Sequence, residues 1–431
     1  MTPNRWRMPP AAVAIHLSVG SIYAWSVFNK PIEAAVPAFP RGAAAYTFSI
    51  AIALLGLSAA FGGRWLERVG PRLAARVAAV CFASGLALGG VAVSTQTLWL
   101  LYVGVGGIGG IGLGLAYVAP VSALVKWFPD RRGMATGLAV LGFGGGSLIA
   151  APVANALMAQ LGVAPTLWVL AAVYGSVMLV AAQFLAPPPD GWIPEAWTPT
   201  PDRAAALAAP SMDVAAAIRT PQFWLLWWML FVNIAAGIAV LSQGSPLMQD
   251  VFGRTPAQAA AFLGVIAIAN AVGRLGWASL SDVLGRRTVF LTFFAVQSVL
   301  FALLPSLGAR AEWRLFQVAA LVIFTMYGGG FATIPAYLAD LFGARNVGAI
   351  HGAILTAWSA AGVAGPLVIT RIRESRLAAL PPGASRVSLY APTFTAMAVL
   401  LATGFLAALA SRARADDIRE VRHTPILRRL S

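Results

Sequence analysis

Cysteine and charge are both scarce in this chain. A single cysteine, Cys81, lies within an apolar run of the 431 residues. That excludes a disulfide framework and a thiolate metal site. Charged residues make up only 10% of the chain and hydrophobic residues 59%, a balance foreign to soluble globular domains. The three histidines, His16, His351 and His423, are far apart in sequence. No P-loop, HExxH or Cys/His ligand cluster occurs, so neither an enzyme nor a cofactor or metal site is expected. The net charge of +15 invites a nucleic-acid reading. The basic residues, however, sit in short intervals between apolar segments, where the positive-inside rule puts them.

What is abundant is apolar sequence in runs of about 20 residues, each long enough to span a ~30 Å hydrocarbon core. They fall near 11–36, 44–62, 73–94, 98–125, 134–159, 165–186, 222–249, 257–281, 288–308, 314–340, 347–369 and 389–411. The first follows Arg5 and Arg7 as a secretory signal would, but is too long for a cleavable h-region. The expected class is an all-α polytopic membrane protein of twelve transmembrane helices in two six-helix halves. Residues 1–186 form the first half and 222–411 the second. The Pro-rich interval 187–221, with Asp190, Glu195, Asp202, Arg203, Asp213 and Arg219, reads as a linker carrying a short surface helix at 211–219. Residues 412–431 form a basic tail. With the N-terminus inside, the cytoplasmic segments hold about 20 Lys and Arg against about 8 outside. Both termini are thus expected in the cytoplasm and the chain in a cell (inner) membrane. The loop 371–386 is the exception, with four external arginines.

Two polar turns repeat. Between helices two and three the chain reads GRWLERVGPR, residues 63–72; between helices eight and nine it reads SDVLGRR, residues 281–287. Each joins an acid to arginines across a glycine turn at the same place in its half, an internal repeat. Here the chain resembles the major facilitator superfamily, whose loop of Gly, acid, then Gly-Arg-Arg/Lys latches the cytoplasmic side. The resemblance implies a gate at Gly63, Glu67, Arg68, Gly70 and Arg72, and at Asp282, Gly285, Arg286 and Arg287. Glu67 stands where Asp is usual, Pro71 where Arg is common, and Ala278 where the leading Gly is expected. Two further stretches, GSIYAWSVFNKPI (20–32) and GLAYVAPVSALVKWFPDRRGMATG followed by LGFGGGS, are similar to the oxalate/formate antiporter family, a relative of the monocarboxylate transporters. That resemblance runs over most of the chain.

Gly104, Gly106 and Gly109 spell G-x-G-x-x-G, but neither a preceding strand nor a soluble crossover accompanies them. Gly106, Gly110 and Gly114, spaced by four, instead read as a close helix-packing face. Gly142 to Gly146 fit the same explanation.

One charge sits deep in an apolar helix. Arg274 lies eight residues before Asp282, about 12 Å from the polar end of helix eight at ~1.5 Å per residue. An unpaired guanidinium at such depth costs at least ~2.5–3.5 kcal/mol, which makes an intramembrane charge a functional candidate by default. Asn270 is one turn earlier on the same face. Glu33, Asp250 and Asp340 fall near helix ends, so none is an obvious partner. Guanidinium offers a planar fork for a carboxylate and does not deprotonate. Arg274 is therefore read as the anchor for a small carboxylate. Tyr23, Tyr117, Tyr327 and Trp358 are substrate contacts or packed core, and Phe331 extends the wall of Tyr327. His351 serves proton coupling or is a hydrogen-bonded structural residue.

In the oxalate carrier of the family a helix-eleven lysine assists the arginine. The resemblance aligns Trp358 with that lysine, which implies one fixed cation and favours a monocarboxylate of the lactate, pyruvate or formate type over oxalate. Lys30, beside Glu33, is a remote second cation. The partners expected are the carboxylate, a proton or counter-anion and the lipid bilayer, with the protein functional as a monomer. A membrane anion sensor on the same fold is the reading from another class.

Overall fold

The computed structural model describes residues 4–40, 42–189, 191–195, 197–199, 204, 210–378 and 386–411. Asp190, Asp202, Arg203 and the basic tail 412–431 lie outside these described residues. Twelve described helices are long and apolar enough to cross a membrane: α1 Arg5–Ala35, α2 Ala43–Val69, α3 Pro71–Ser94, α4 Leu98–Trp127, α5 Arg132–Leu161, α6 Val163–Ala182, α7 Pro221–Leu241, α8 Ala261–Leu284, α9 Arg286–Ala309, α10 Trp313–Phe342, α11 Val347–Gly365 and α12 Ala391–Ala410. Helices satisfy their own backbone hydrogen bonds, as a segment surrounded by lipid must.

Local chemistry sets many of the ends. Thr220 caps α7 with Pro221 behind it, and a capping box of Thr255 and Gln258 opens the helix that becomes α8. Gly70 and Gly285 stand at the two repeated turns with φ of 83° and 85°, values that suit glycine. The turns are tighter than the sequence suggests. α2 runs on through Gly63 and Glu67 to Val69, and α8 through Asp282 to Leu284. Their acids therefore project from the last turns of helices and not from loops. The short surface helix is present as Val214–Ile218, capped by Asp213.

Three rods are irregular. α1 tightens to 3-10 geometry over Ser21–Phe28, α4 widens to a π turn over Tyr102–Gly109, and the rod of α11 breaks at Leu355. Such departures in the middle of a helix often mark functional positions.

The glycine stripe of α4 packs as its spacing implies. A Cβ on Gly106, Gly110 or Gly114 would lie within 3.0 Å of Ile50, Ala51 or Leu55 of α2. In α5, Gly142 and Gly146 face α1, while Gly133 and Gly137 face α8. α5 against α8, and α2 against α11, are thus the seams between the first six helices and the last six. At the second seam a Cβ on Gly352 would sit 1.9 Å from the Ala59 carbonyl oxygen. Backbone cannot yield as a flexible side chain does, and overpacking of this kind costs about 1–3 kcal/mol. Gly352→Val is expected to lower the apparent melting temperature of the detergent-solubilised protein by roughly 3–10 °C. An unchanged melting curve would show that α2 and α11 are not packed this closely.

Candidate functional site

All charged side chains of the repeated turns gather on the face where α1 begins. Asp282, at the end of α8, accepts hydrogen bonds from the backbone N–H groups of Gly133 and Met134, 2.9 Å each. These are the first amides of α5, so the carboxylate caps that helix and meets the positive end of its dipole. Glu67, at the end of α2, does the same for α11 by accepting from Gly348 N at 2.8 Å. Each acid therefore reaches across to a helix of the other six-helix set.

The arginines act differently. Arg72 donates to the Leu185 carbonyl just past α6, and Arg287 to the Ala408 and Leu409 carbonyls at the end of α12. Each closes the last helix of its own set. Arg286 bridges Asp282 at 2.6 Å and Asp340 of α10 at 3.0 Å, and it also meets Ser281. Arg68 is exposed and forms no ion pair among the described residues.

Sequence reading missed half of this clasp. Arg132 of α5 pairs with Asp340 at 2.7 Å across 208 residues, and Lys126 pairs with Glu67. The available signal was positional: Arg132 and Asp340 flank the turns after helices four and ten, which correspond between the two sets. Nearby, Arg5 grips Asp130 through two hydrogen bonds of 2.7 and 3.0 Å. Burial pushes the Asp130 carboxyl up, but the Arg5 and Arg131 hydrogen bonds outweigh it and hold its pKa below the usual range. Ala278, where the motif has glycine, is accommodated by Gly133 opposite, where an added Cβ would lie 2.0 Å from the Ala278 carbonyl oxygen.

On the opposite face, Asp250 accepts from Arg373, Arg386 and Tyr390. Two of the four arginines that break the positive-inside pattern are thus tied to an acid. Lys30 is exposed near this face, and Glu33 accepts from Gly42 N.

Between the faces lies a cavity of about 390 Å³, lined by Tyr23, Ser147, Ile238, Asn270, Tyr327 and Trp358 among others. Its wall also includes Phe48 and Ile52, which belong to the half of α2 remote from the clasp. The cavity thus lies on the side of Arg274 away from the closed face.

Immediately beneath it is Arg274, fully buried. Its Nε donates to Asn270 Oδ1 at 3.3 Å and its Nη1 to the Val140 carbonyl at 3.1 Å. Nη2 is buried and has no hydrogen-bond partner among the described residues. No carboxylate pairs with Arg274 among the described residues. The guanidinium carbon lies 5.1 Å from the Phe331 ring centre and 5.9 Å from that of Phe143, within range of cation–π attraction. Gly144 borders it so closely that a Cβ there would be 2.8 Å from Nε.

Aromatic rings close the floor. Trp358 contacts Phe331 at 4.8 Å and Tyr117 and Phe143 at 5.3 Å each, with Tyr23 at 6.3 Å. The hydroxyls of Tyr23 and Tyr327 approach one another, yet Tyr23 makes no well-formed hydrogen bond. Tyr117 is fully buried, its hydroxyl without a partner among the described residues. His351 is also buried, 5.7 Å from the Tyr117 ring, with neither ring nitrogen hydrogen-bonded to another of the described residues. His16, which the sequence did not single out, also packs on Tyr117, at 5.2 Å.

Of the candidates, Asn270, Tyr23, Tyr327 and Trp358 line the cavity with Arg274 beneath it, while Tyr117 packs on Trp358 and Phe143 and is not among the lining residues. Chemically, the cavity offers one cation with a spare donor, two phenols and an apolar wall.

Comparison with known proteins agrees with this architecture. The chain is 26% identical over 377 residues to the oxalate:formate antiporter of Oxalobacter formigenes, covering 85% of each chain. It is 25% identical to apicoplast pyruvate carrier 1 of Toxoplasma gondii, over 77% of this chain and 70% of that one. The fucose:proton symporter of E. coli shares the fold with a TM-score of 0.68 at 14% identity, covering 94% of this chain and 98% of the symporter. Residues 12–366 match the Major Facilitator Superfamily. The resemblance to the oxalate/formate antiporter family read from the motifs is borne out, and the chain, a membrane transporter and not an enzyme, belongs to the Major Facilitator Superfamily.

Proposed function

We propose that the protein is a secondary transporter of small monocarboxylates of the lactate, pyruvate or formate type, with Arg274 as the carboxylate anchor. The observation that carries this reading is the fully buried Arg274 beneath the cavity, with Nη2 unpartnered among the described residues. A buried donor on a charged group without a partner is costly. A carboxylate is the ligand that relieves it, because its two oxygens match the guanidinium fork. Asn270, Tyr23, Tyr327 and Trp358 orient the anion, and Tyr117 packs on Trp358.

Transport proceeds by rocking residues 1–186 against 222–411 across the α5–α8 and α2–α11 seams, with 187–221 as the connecting linker. The clasp built on Glu67 and Asp282 is the cytoplasmic gate, both termini are cytoplasmic, and the carrier works as a monomer in the inner membrane. An empty Arg274 must be desolvated whenever the site closes; a bound carboxylate neutralises it and makes closure easier. A thermal-shift screen of small carboxylates on the purified protein tests the ligand class, because a ligand that binds only the native state raises its apparent stability. No shift with any monocarboxylate would refute the assignment, and binding without flux in vesicles would favour a sensor.

Exchange of oxalate for formate is the second reading. It is favoured by the 26% identity over 85% of the chain to an oxalate:formate antiporter. A dicarboxylate calls for a second cation. Lys30 is exposed and Trp358 occupies the matching wall, so one carboxylate suits the site better. Trp358→Lys is expected to raise the preference for oxalate over formate by about tenfold, the worth of one charged hydrogen bond. Unchanged selectivity in a correctly folded variant would count against this alignment of α11.

A further inference from the structure

An anion that crosses alone carries net charge, and among the described residues no membrane-depth acid able to carry a proton lies near Arg274. The geometry points to His16 as the proton-binding group that accompanies the anion, an inference that rests on Arg274 as the anchor. His16 is fully buried in α1. Its Nδ1 lies 2.7 Å from the Ala139 carbonyl oxygen, and its Nε2 lies 3.2 Å from the Tyr117 carbonyl oxygen.

Carbonyl oxygens only accept hydrogen bonds, and a neutral imidazole has a single N–H to donate. One nitrogen therefore turns a lone pair toward an acceptor unless the ring carries a second proton. The imidazolium satisfies both carbonyls at once. The protonated ring thus gives each carbonyl a donor, in a residue type that can change its charge with pH.

The link to Arg274 runs through consecutive residues of α5. His16 faces the Ala139 carbonyl while Arg274 donates to that of Val140, and both cationic groups flank the Phe143 ring. The other polar and titratable groups facing His16 are Tyr117 from α4, Arg274 from α8 and His351 from α11. No carboxylate is among them within the described residues. Arg274 repels a proton on His16 while the site is empty. A carboxylate on Arg274 cancels that repulsion, so anion and proton each strengthen the binding of the other. The pair crosses with no net charge. No bond other than the N–H is made or broken.

Calorimetry on the purified full chain, with pyruvate as the probe in buffers of different ionisation heat, counts protons taken up per anion bound. Wild type is expected to take up close to one at neutral pH and above, and pyruvate affinity is expected to fall about tenfold per pH unit where the free protein has lost that proton. Zero uptake by wild type would overturn the inference without any variant. His16→Gln, which keeps a donor toward Ala139, should still bind pyruvate through Arg274 but with no proton uptake and a flat pH profile. His351→Gln should behave as wild type. Full uptake by His16→Gln, or its loss in His351→Gln, would move the proton elsewhere and overturn the inference. Failure of wild type to bind pyruvate or formate, or undiminished binding by Arg274→Met, would instead overturn the anchor reading and this one with it.

Discussion

Arg274→Met should reduce carboxylate uptake into proteoliposomes by more than about 100-fold while leaving the folded fraction near wild type. The substitution keeps much of the side-chain volume between Phe143 and Phe331 and removes only the charge and the fork. Truncating one partner of a buried, hydrogen-bonded charge pair costs about 2–5 kcal/mol, and ~3 kcal/mol corresponds to more than two powers of ten in affinity. Arg274→Lys should recover part of the binding. An ammonium keeps the charge but loses the planar two-point contact, and it also loses the simultaneous bonds to Asn270 and Val140. Equal transport by wild type and Arg274→Met would remove the basis for the anchor.

Asp282→Ala is expected to open the clasp. The substitution deletes two hydrogen bonds to the first amides of α5 and one ion pair with Arg286. Loss of the cap costs about 0.5–2 kcal/mol. Asp282 and Arg286 are only 12% and 7% exposed, so loss of their pair is felt more than that of a surface pair. Arg286 keeps Asp340, which limits the damage. Together these shift the balance between closed and open clasp by roughly 3 kcal/mol, or about 100-fold. Maleimide labelling reads the change at Thr136→Cys in a Cys81→Ser background. Thr136 is fully buried between α5 and α10 and donates to the Ala332 carbonyl. The cysteine should label at least tenfold faster when Asp282→Ala is added, and transport should fall by a similar factor. Unchanged labelling would mean that the clasp does not hold this face closed.

The different fates of Arg274 and His16 show what can be read from an apolar chain. Arg274 was visible because a charge at membrane depth is anomalous against its neighbours, and the helix period alone put Asn270 beside it. The twelve spans were visible because length and hydropathy suffice to mark them. The small-residue face of α4 was visible because its glycines recur every four residues. His16 was not, because a lone histidine in an apolar run carries no sign of what surrounds it. Its meaning comes from two carbonyls, on α5 and α4, more than 100 residues away.

The clasp divides in the same way. The repeated turns announced themselves by their sequence. The crosswise capping, Asp282 onto α5 and Glu67 onto α11, depends on how the two helix sets face each other. Uniformly apolar helices give no stripe from which to read that rotation. Local irregularities were hidden for a related reason. Within α1 the 3-10 turns of Ser21–Phe28 carry Tyr23 into the cavity wall, and apolar composition does not distinguish 3-10 from α geometry.

The most direct measurement is a structure of the purified protein determined by electron cryo-microscopy at saturating pyruvate. The expected result is density for the carboxylate within about 3 Å of the Arg274 guanidinium, engaging Nη2 and walled by Trp358 and Tyr327. Density elsewhere in the cavity, or an Arg274 paired to a protein carboxylate while pyruvate is bound, would contradict it.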